Sequence, residues 1–199
     1  MTQAPAKRLT ADARRQAVLE TACRVFSRSS YRGATTAEIA REAGISEPIL
    51  YRHFGSKRDL YLACLDEAWG SFRQVCEDAV ATDAANSLGA IADAYMVKGR
   101  KIRVIDLWIQ ALNEASEDRV IAAAVRRQIR EVHDFFAEVI RDGQRRGVIH
   151  PERDPVAEAW IFVAGGLLAT IDSRLGGLLG GDLLAVRASR REWMLSTPA

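Results

Sequence analysis

The spacing of apolar residues constrains the fold of this chain more than any other feature. Apolar side chains recur at steps of three and four residues along nearly all of the 199 residues, which is the period of a helix that faces a core. No run of Val, Ile, Thr or aromatic residues alternates with polar residues between turn signals, so no strand is predicted. We therefore expect an all-α fold of about nine helices.

Breaks in this period, together with glycine and proline residues, set the expected boundaries. The second helix begins at the capping box Thr35-Thr36-Ala37-Glu38 and ends before Gly44. The domain boundary is expected near the start of the fourth helix, which gives domains at residues 1–57 and 58–199. Helices are predicted over residues 10–29, 35–43, 46–54, 56–80, 87–100, 102–115, 118–146, 154–175 and 182–195.

Residues 35–54 place two short predicted helices on either side of a glycine turn, which is the pattern of a helix-turn-helix unit. Ala40 is small where the two helices must cross, and Gly44 allows the positive φ that turns the chain. In such a unit the second helix enters the major groove of DNA and its first residues lie at the base edges. The residues expected to point outward from it are Glu47, Pro48 and Arg52.

The groups around these helices are suited to phosphate binding. Thr36 lies at a helix N-terminus, Tyr51 and His53 flank the second helix, and Lys57 begins the next one. Such groups orient a protein on a duplex without reading its sequence. Further salt-dependent affinity is expected from Lys7, Arg8, Arg14, Arg15 and Arg32. Each of these residues alone could be an ordinary solvated side chain, but the whole constellation favours DNA binding.

The charge distribution agrees with contact to DNA at one end of the chain. The formal net charge is only +2, but residues 1–60 carry +5 and residues 61–199 carry −3. A basic N-terminal part on a mildly acidic body is expected when only that part meets nucleic acid.

Four runs between Leu19 and Leu65 carry a family resemblance: A-C-R-V-F at 22–26, Y-R-G-A-T-T-A-E-I-A at 31–40, A-G-I-S at 43–46 and L-Y-R-H-F-G-S-K-R-D-L at 50–60. They resemble the DNA-binding domain of the TetR family of bacterial repressors. The resemblance implies base-edge positions for Glu47, Pro48 and Arg52, and phosphate contacts from Thr36, Ser46, Tyr51, His53 and Lys57. Glu47 departs from this pattern, because a carboxylate repels phosphates unless it accepts from a cytosine amino group.

For residues 58–199 the resemblance implies a helical domain that forms a homodimer and binds a small-molecule effector, which releases the DNA. A two-fold dimer would bind a pseudo-palindromic operator in double-stranded DNA. The alternative is that the last two helices bury their apolar residues within one subunit. The residues expected in the dimer interface are Ala157, Trp160, Ala164, Leu167, Leu168, Ile171, Leu183, Leu184, Val186 and Met194.

An effector pocket is expected among the helices of this domain, although aromatic residues at helical spacing more often belong to a core. The candidate lining residues are Trp69, Phe72, Tyr95, Trp108, Phe135 and Trp160.

Other functional classes find little support. The chain lacks G-x-S-x-G, P-loop and H-E-x-x-H motifs, so an all-α enzyme or a helical protein-binding adaptor remains only as the alternative. Three irregularly spaced cysteines predict neither disulfides nor a metal site, and no cofactor is expected. The longest apolar run, residues 159–171, is shorter than the roughly 20 residues that span a bilayer. We therefore expect a soluble, cytoplasmic protein with no membrane partner.

Overall fold

The computed structural model describes residues 10–99 and 104–195, with side chains at all of these positions except 98, 99, 104 and 105. Within these ranges the chain is helical and contains no strand, which confirms the all-α prediction. The nine α-helices there are α1 (Ala11–Gly33), α2 (Thr36–Glu42), α3 (Glu47–His53), α4 (Lys57–Thr82), α5 (Ser87–Ala94), α6 (Val104–Ala115), α7 (Arg119–Arg145), α8 (Pro155–Arg174) and α9 (Asp182–Leu195).

Two boundaries differ from the sequence prediction. The helix expected over residues 87–100 divides into α5 and a π-helical turn, Tyr95–Gly99. The helix expected to end at Ser29 continues to Gly33 past a kink at Ser30, whose φ is 63°. The amide of Ala34 donates to the Ser30 carbonyl (3.2 Å), so the kinked turn still closes and directs the chain into α2.

The described residues form two compact units. The first contains those up to Trp69 together with Asp106–Ala124. Its mainly aliphatic core contains a cluster of aromatic rings: the ring of Tyr61 lies 4.9 Å from the rings of both Phe26 and Tyr31, centroid to centroid. The Tyr61 hydroxyl donates to the Leu107 carbonyl (3.3 Å), and burial raises the pKa of Tyr61, which keeps this donor protonated.

The second unit contains Gly70–Ile105 and the residues from Val125 onward. Buried Glu158 of α8 holds α9 in place, because its carboxylate accepts from Trp193 Nε1 (2.9 Å) and pairs with Arg190. The guanidinium of Arg153 lies 3.6 Å from the centre of the Trp193 ring. These contacts determine which face of α9 remains outside.

The outer faces of α8 and α9 are apolar. Ile161, Ile171 and Leu184 are 45%, 44% and 66% exposed. By length and composition alone α8 could cross a membrane, whereas the apolar run at residues 159–171 predicted no membrane span. A single helix of this kind is weak evidence for a span.

The predicted dimer interface needs correction at Met194. This residue is buried in its own subunit, where its carbonyl accepts from the His150 amide.

The cysteines are packing residues in the described structure. Cys64 and Cys76 are fully buried and Cys23 is half-buried, and none forms a disulfide. Burial raises the pKa of Cys64 and raises that of Cys76 to about 12, so both remain neutral thiols near pH 7. They serve as small apolar groups in the helix contacts.

The N-terminus of α2 provides a stability test. Thr35 Oγ1 accepts from the Glu38 amide (3.1 Å), as the capping box predicts. We expect Thr35→Ala to lower the free energy of unfolding by about 1 kcal/mol, because the amide loses its acceptor. Thr35→Ser is the matched control, since it keeps the oxygen. Urea unfolding followed by circular dichroism measures both, and equal losses in the two variants would contradict a capping role.

Candidate nucleic-acid interface

The turn between α2 and α3 depends on Gly44. Its φ of 68° lies in the left-handed region, which costs a residue with a side chain about 1–2 kcal/mol. The amide of Ile45 donates to the Ala40 carbonyl (3.0 Å) and closes the end of α2. The two seven-residue helices therefore form the helix-turn-helix unit that the sequence predicts.

Packing of this unit fixes the outward face of α3. Ile39 and Leu50 are completely buried and Ala40 is 2% exposed, so the two helices cross closely. The opposite side of α3 faces solvent. Its exposed residues are Ser46, Pro48, Tyr51 and Arg52, while Glu47 and His53 are half-buried. Ser46 is the N-cap by position, but its hydroxyl makes no capping hydrogen bond and its carbonyl accepts from the amides of the first turn.

Three of the predicted contact residues form one hydrogen-bonded cluster. Thr36 Oγ1 donates to the carboxylate of Glu47, and the Tyr51 hydroxyl lies 3.1 Å from the same Thr36 oxygen. Thr36 is 8% exposed and Tyr51 is 44% exposed, so the cluster runs from the edge of the core to the surface. It joins the first turn of α2 to the outward face of α3.

Lys57, the first residue of α4, lies against an aromatic ring. Its ammonium is 4.8 Å from the centre of the Tyr31 ring, a cation–π distance. Partial burial lowers the pKa of Lys57, and the negative charge of Glu114 opposes that shift. The side chain is therefore held at a defined place at the beginning of α4.

The predicted basic flank is only partly available to DNA. Arg14 and Arg15 are exposed, with the Arg15 guanidinium 4.8 Å from the centre of the Phe54 ring. Arg32 instead forms ion pairs with Glu114 (3.1 Å) and Glu117. Its charge is therefore neutralised within the protein. Lys7 and Arg8 lie outside the described residues.

Sequence reasoning missed the contacts that α1 and α4 make with the segment around α6. Arg58 pairs with Asp118 at 3.3 Å, and Gln110 donates to the Ser27 carbonyl (2.9 Å). The cation–π contact between Lys57 and the Tyr31 ring was also missed. No local pattern could have revealed these pairs, because 60 to 85 residues separate the partners of the long-range ion pairs.

The six predicted pocket residues are distributed over both units. In the first unit, the Trp69 and Trp108 rings lie 6.4 Å apart, and both are buried. In the second, Phe72 contacts Tyr95 edge-on at 5.7 Å, and the Tyr95 hydroxyl lies 2.9 Å from Thr170 Oγ1.

The remaining two candidates, Phe135 and Trp160, contact separate neighbours, the first edge-on and the second by stacking. Phe135 contacts Phe136 at 5.4 Å, and Trp160 stacks on His133 at 4.4 Å. A surface groove of about 290 Å³ in the second unit contains none of the six side chains. It is lined by Ala85, Gly147, Val148, Ile149, His150, Pro151 and Leu195.

An exposed α3 on a helix-turn-helix scaffold, bordered by hydroxyl and cationic groups, defines a DNA-binding protein. Two family models match the chain. Residues 18–64 match the model described as bacterial regulatory proteins, tetR family, and residues 84–165 match the C-terminal model of BetI-type transcriptional repressors. The chain belongs to the TetR family and is a DNA-binding transcriptional regulator, not an enzyme.

Individual relatives agree with this assignment. The chain is 40% identical over 92 residues to the transcriptional activator FasR of Mycolicibacterium smegmatis, covering 44% of this chain and 41% of that protein. It is 23% identical over 188 residues to the regulator UidR of Escherichia coli, covering 86% and 93%. The similarity to FasR is thus confined to less than half of each chain.

Solved structures share the fold. A TetR-family regulator from Rhodococcus sp. superimposes with a TM-score of 0.79 at 19% identity, covering 92% of this chain and 98% of that chain. AibR, solved with isovaleryl coenzyme A and operator DNA, has a TM-score of 0.60 at 23% identity, covering 77% and 84%.

Proposed function

We propose that this regulator is a repressor that binds a pseudo-palindromic operator as a homodimer and is released by a small-molecule effector in the cytoplasm. One observation carries the proposal: the same chain combines an exposed α3 with exposed apolar side chains along α8 and α9. A protein with one reading helix needs a second copy to bind two half-sites, and a two-fold interface supplies it.

The apolar surface supports self-association. Among the described residues, eleven of the sixteen exposed large apolar side chains lie between Val156 and Leu195. Ala157, Ala164 and Gly165 are also exposed, and a Cβ at Gly165 would meet nothing within 4 Å. Small residues beside large ones allow a second helix to approach closely. Exposed apolar side chains concentrated on two neighbouring helices in sequence are typical of an interaction site.

We expect Ala164→Glu to convert the dimer into a monomer, because it places a charge in the centre of the proposed interface. The exposed position leaves the subunit itself folded. Ala123→Glu on α7, at another exposed alanine, is the matched control. Sedimentation velocity gives the mass, and gel shifts compare the inverted repeat with a single half-site. A dimeric Ala164→Glu variant would refute this interface.

The DNA contacts are proposed from the exposed face of α3 and its borders. Ser46, Tyr51, His53 and Lys57, with Thr36 beneath them, would contact phosphates, while Pro48, Arg52 and Glu47 would lie at the base edges. Support comes from the exposure of Pro48 and Arg52 and from the fixed place of Lys57 over Tyr31. An anchored ammonium loses little side-chain entropy when it meets a phosphate.

Lys57→Ala should weaken binding to operator and to unrelated DNA by the same factor. The slope of log K against log salt should fall by about one unit, since one phosphate contact is lost. Arg58→Ala is the matched control, because Arg58 is already paired with Asp118 and should leave that slope unchanged. Fluorescence anisotropy at several salt concentrations measures both. If only Arg58→Ala reduced the slope of log K against log salt, the phosphate contact would be assigned to Arg58 instead of Lys57.

Effector binding is proposed for the second unit. Tyr95 begins a π-helical turn, a feature that is frequent at functional sites, and its ring and hydroxyl contact Phe72 and Thr170. The small-molecule complexes of structural relatives, isovaleryl coenzyme A in AibR and choline in a regulator from Saccharomonospora viridis, support an effector in general. Within this unit Phe72, Tyr95, Phe135 and Trp160 are the proposed lining, whereas the assignment of Trp69 and Trp108, which belong to the first unit, stays a prediction from the sequence.

The proposal is tested by selecting random double-stranded DNA on the purified protein at moderate salt. Enrichment of an inverted repeat is the expected result, and a reporter placed behind that repeat should be less active when the protein is present. The match to the BetI-type repressor model supports repression, whereas the relative FasR is named an activator. Higher reporter activity would show that the protein is an activator and not a repressor. Enrichment of unpaired half-sites would exclude a dimeric operator.

A further inference from the structure

The cluster of Thr36, Glu47 and Tyr51 fixes the direction of its own hydrogen bonds. An ionised carboxylate only accepts, so the single hydroxyl hydrogen of Thr36 points to Glu47. The Tyr51 hydroxyl lies 3.1 Å from Thr36 Oγ1, whose hydrogen is already used, and therefore donates its own hydrogen to that oxygen. The donors run in one chain, from Tyr51 through Thr36 to the Glu47 carboxylate.

This arrangement opposes phosphate binding at the same hydroxyls. A phosphate oxygen needs donors, but the Thr36 hydrogen is committed to Glu47 and the Tyr51 hydrogen to Thr36 Oγ1. The carboxylate also repels a phosphate by about 1 kcal/mol at 4 Å in water, and by more at a desolvated interface. Thr36 can donate to a phosphate only when the Glu47 carboxylate leaves it. Departure alone would leave a negative charge in the groove without a partner.

We propose that Glu47 is a specificity-determining residue that exchanges partners on DNA: in the free protein it accepts from Thr36, which accepts from Tyr51, and on DNA it transfers to the amino group of a cytosine in the cognate site. The inference rests on the DNA contacts proposed above. Glu47 is the first residue of α3, and cytosine N4 is the donor that a carboxylate reads in the major groove.

This exchange of hydrogen-bond partners would weaken binding to DNA that lacks the cognate base. On a cognate site the carboxylate exchanges one donor for another, and the freed hydroxyls reach the backbone. On a site without the amino group the same movement leaves the carboxylate facing acceptors, so it stays on Thr36 and blocks the phosphate contact. Discrimination therefore comes from a penalty on incorrect DNA as well as from a contact with correct DNA.

Two substitutions separate charge from hydrogen bonding. Glu47→Gln keeps an oxygen that can accept from Thr36 but removes the charge, and an amide side chain pairs with adenine N6 and N7. Glu47→Ala removes both functions. Glu20→Gln is the matched control, because Glu20 is an exposed carboxylate on α1 of the same unit. Circular dichroism and thermal unfolding verify that each variant is folded.

The variants are compared with the wild type by selection on random DNA and by anisotropy on operator and scrambled duplexes. For Glu47→Ala we expect about fivefold tighter binding to scrambled DNA. Discrimination at one cytosine-containing base pair should fall about fivefold or more. For Glu47→Gln the preference at that pair should move toward adenine, while Glu20→Gln should select the wild-type sequence.

Two outcomes would overturn the inference. Unchanged discrimination at every base pair in both Glu47 variants would show that the carboxylate reads nothing. An equal loss of affinity on all sequences would show that Glu47 only orients Thr36 and Tyr51. Failure of the wild-type protein to enrich any sequence is a separate result, because it would refute the proposed operator binding rather than the role of Glu47.

Discussion

The left-handed turn at Gly44 is the constraint on which the DNA-binding unit depends. A residue with a side chain at a φ of 68° would strain the turn, and a wider turn would separate Ala40 from α3. With Leu50 buried on one side, the other side of α3 must face solvent. The glycine therefore fixes the orientation of Pro48 and Arg52 without touching either residue.

Local signals were sufficient to predict most of the fold, because helix boundaries depend on residues close in sequence. The Thr35 cap and the Gly44 turn are examples, and the structure contains both. The hydrogen bonds from Tyr51 through Thr36 to Glu47 could not be predicted, because they depend on how close α2 and α3 lie to each other. The exposed residues of α3 followed from helical period, whereas the pairing of Arg32 with Glu114 needed the complete fold.

The basic N-terminal part shows why net charge overstates the surface that DNA can use. Arg28 pairs with Glu38 and Glu42, and Arg32 and Arg58 pair with acidic residues around α6 and α7. Exposed ion pairs of this kind add little stability, about 0–1 kcal/mol each. Their larger effect is to cancel cations that could release counterions from DNA, so the reading surface is left with fewer positive charges at defined places.

Base-specific contacts and two-fold symmetry contribute to site selection in different ways. A seven-residue α3 can contact only a few base pairs, which is too little information for one site in a genome. The proposed dimer through α8 and α9 would double that information without lengthening the helix. A carboxylate that penalises incorrect bases raises the information carried by each contact. Glu47 can therefore contribute more to site selection than another cation would, since an added cation strengthens correct and incorrect sites alike.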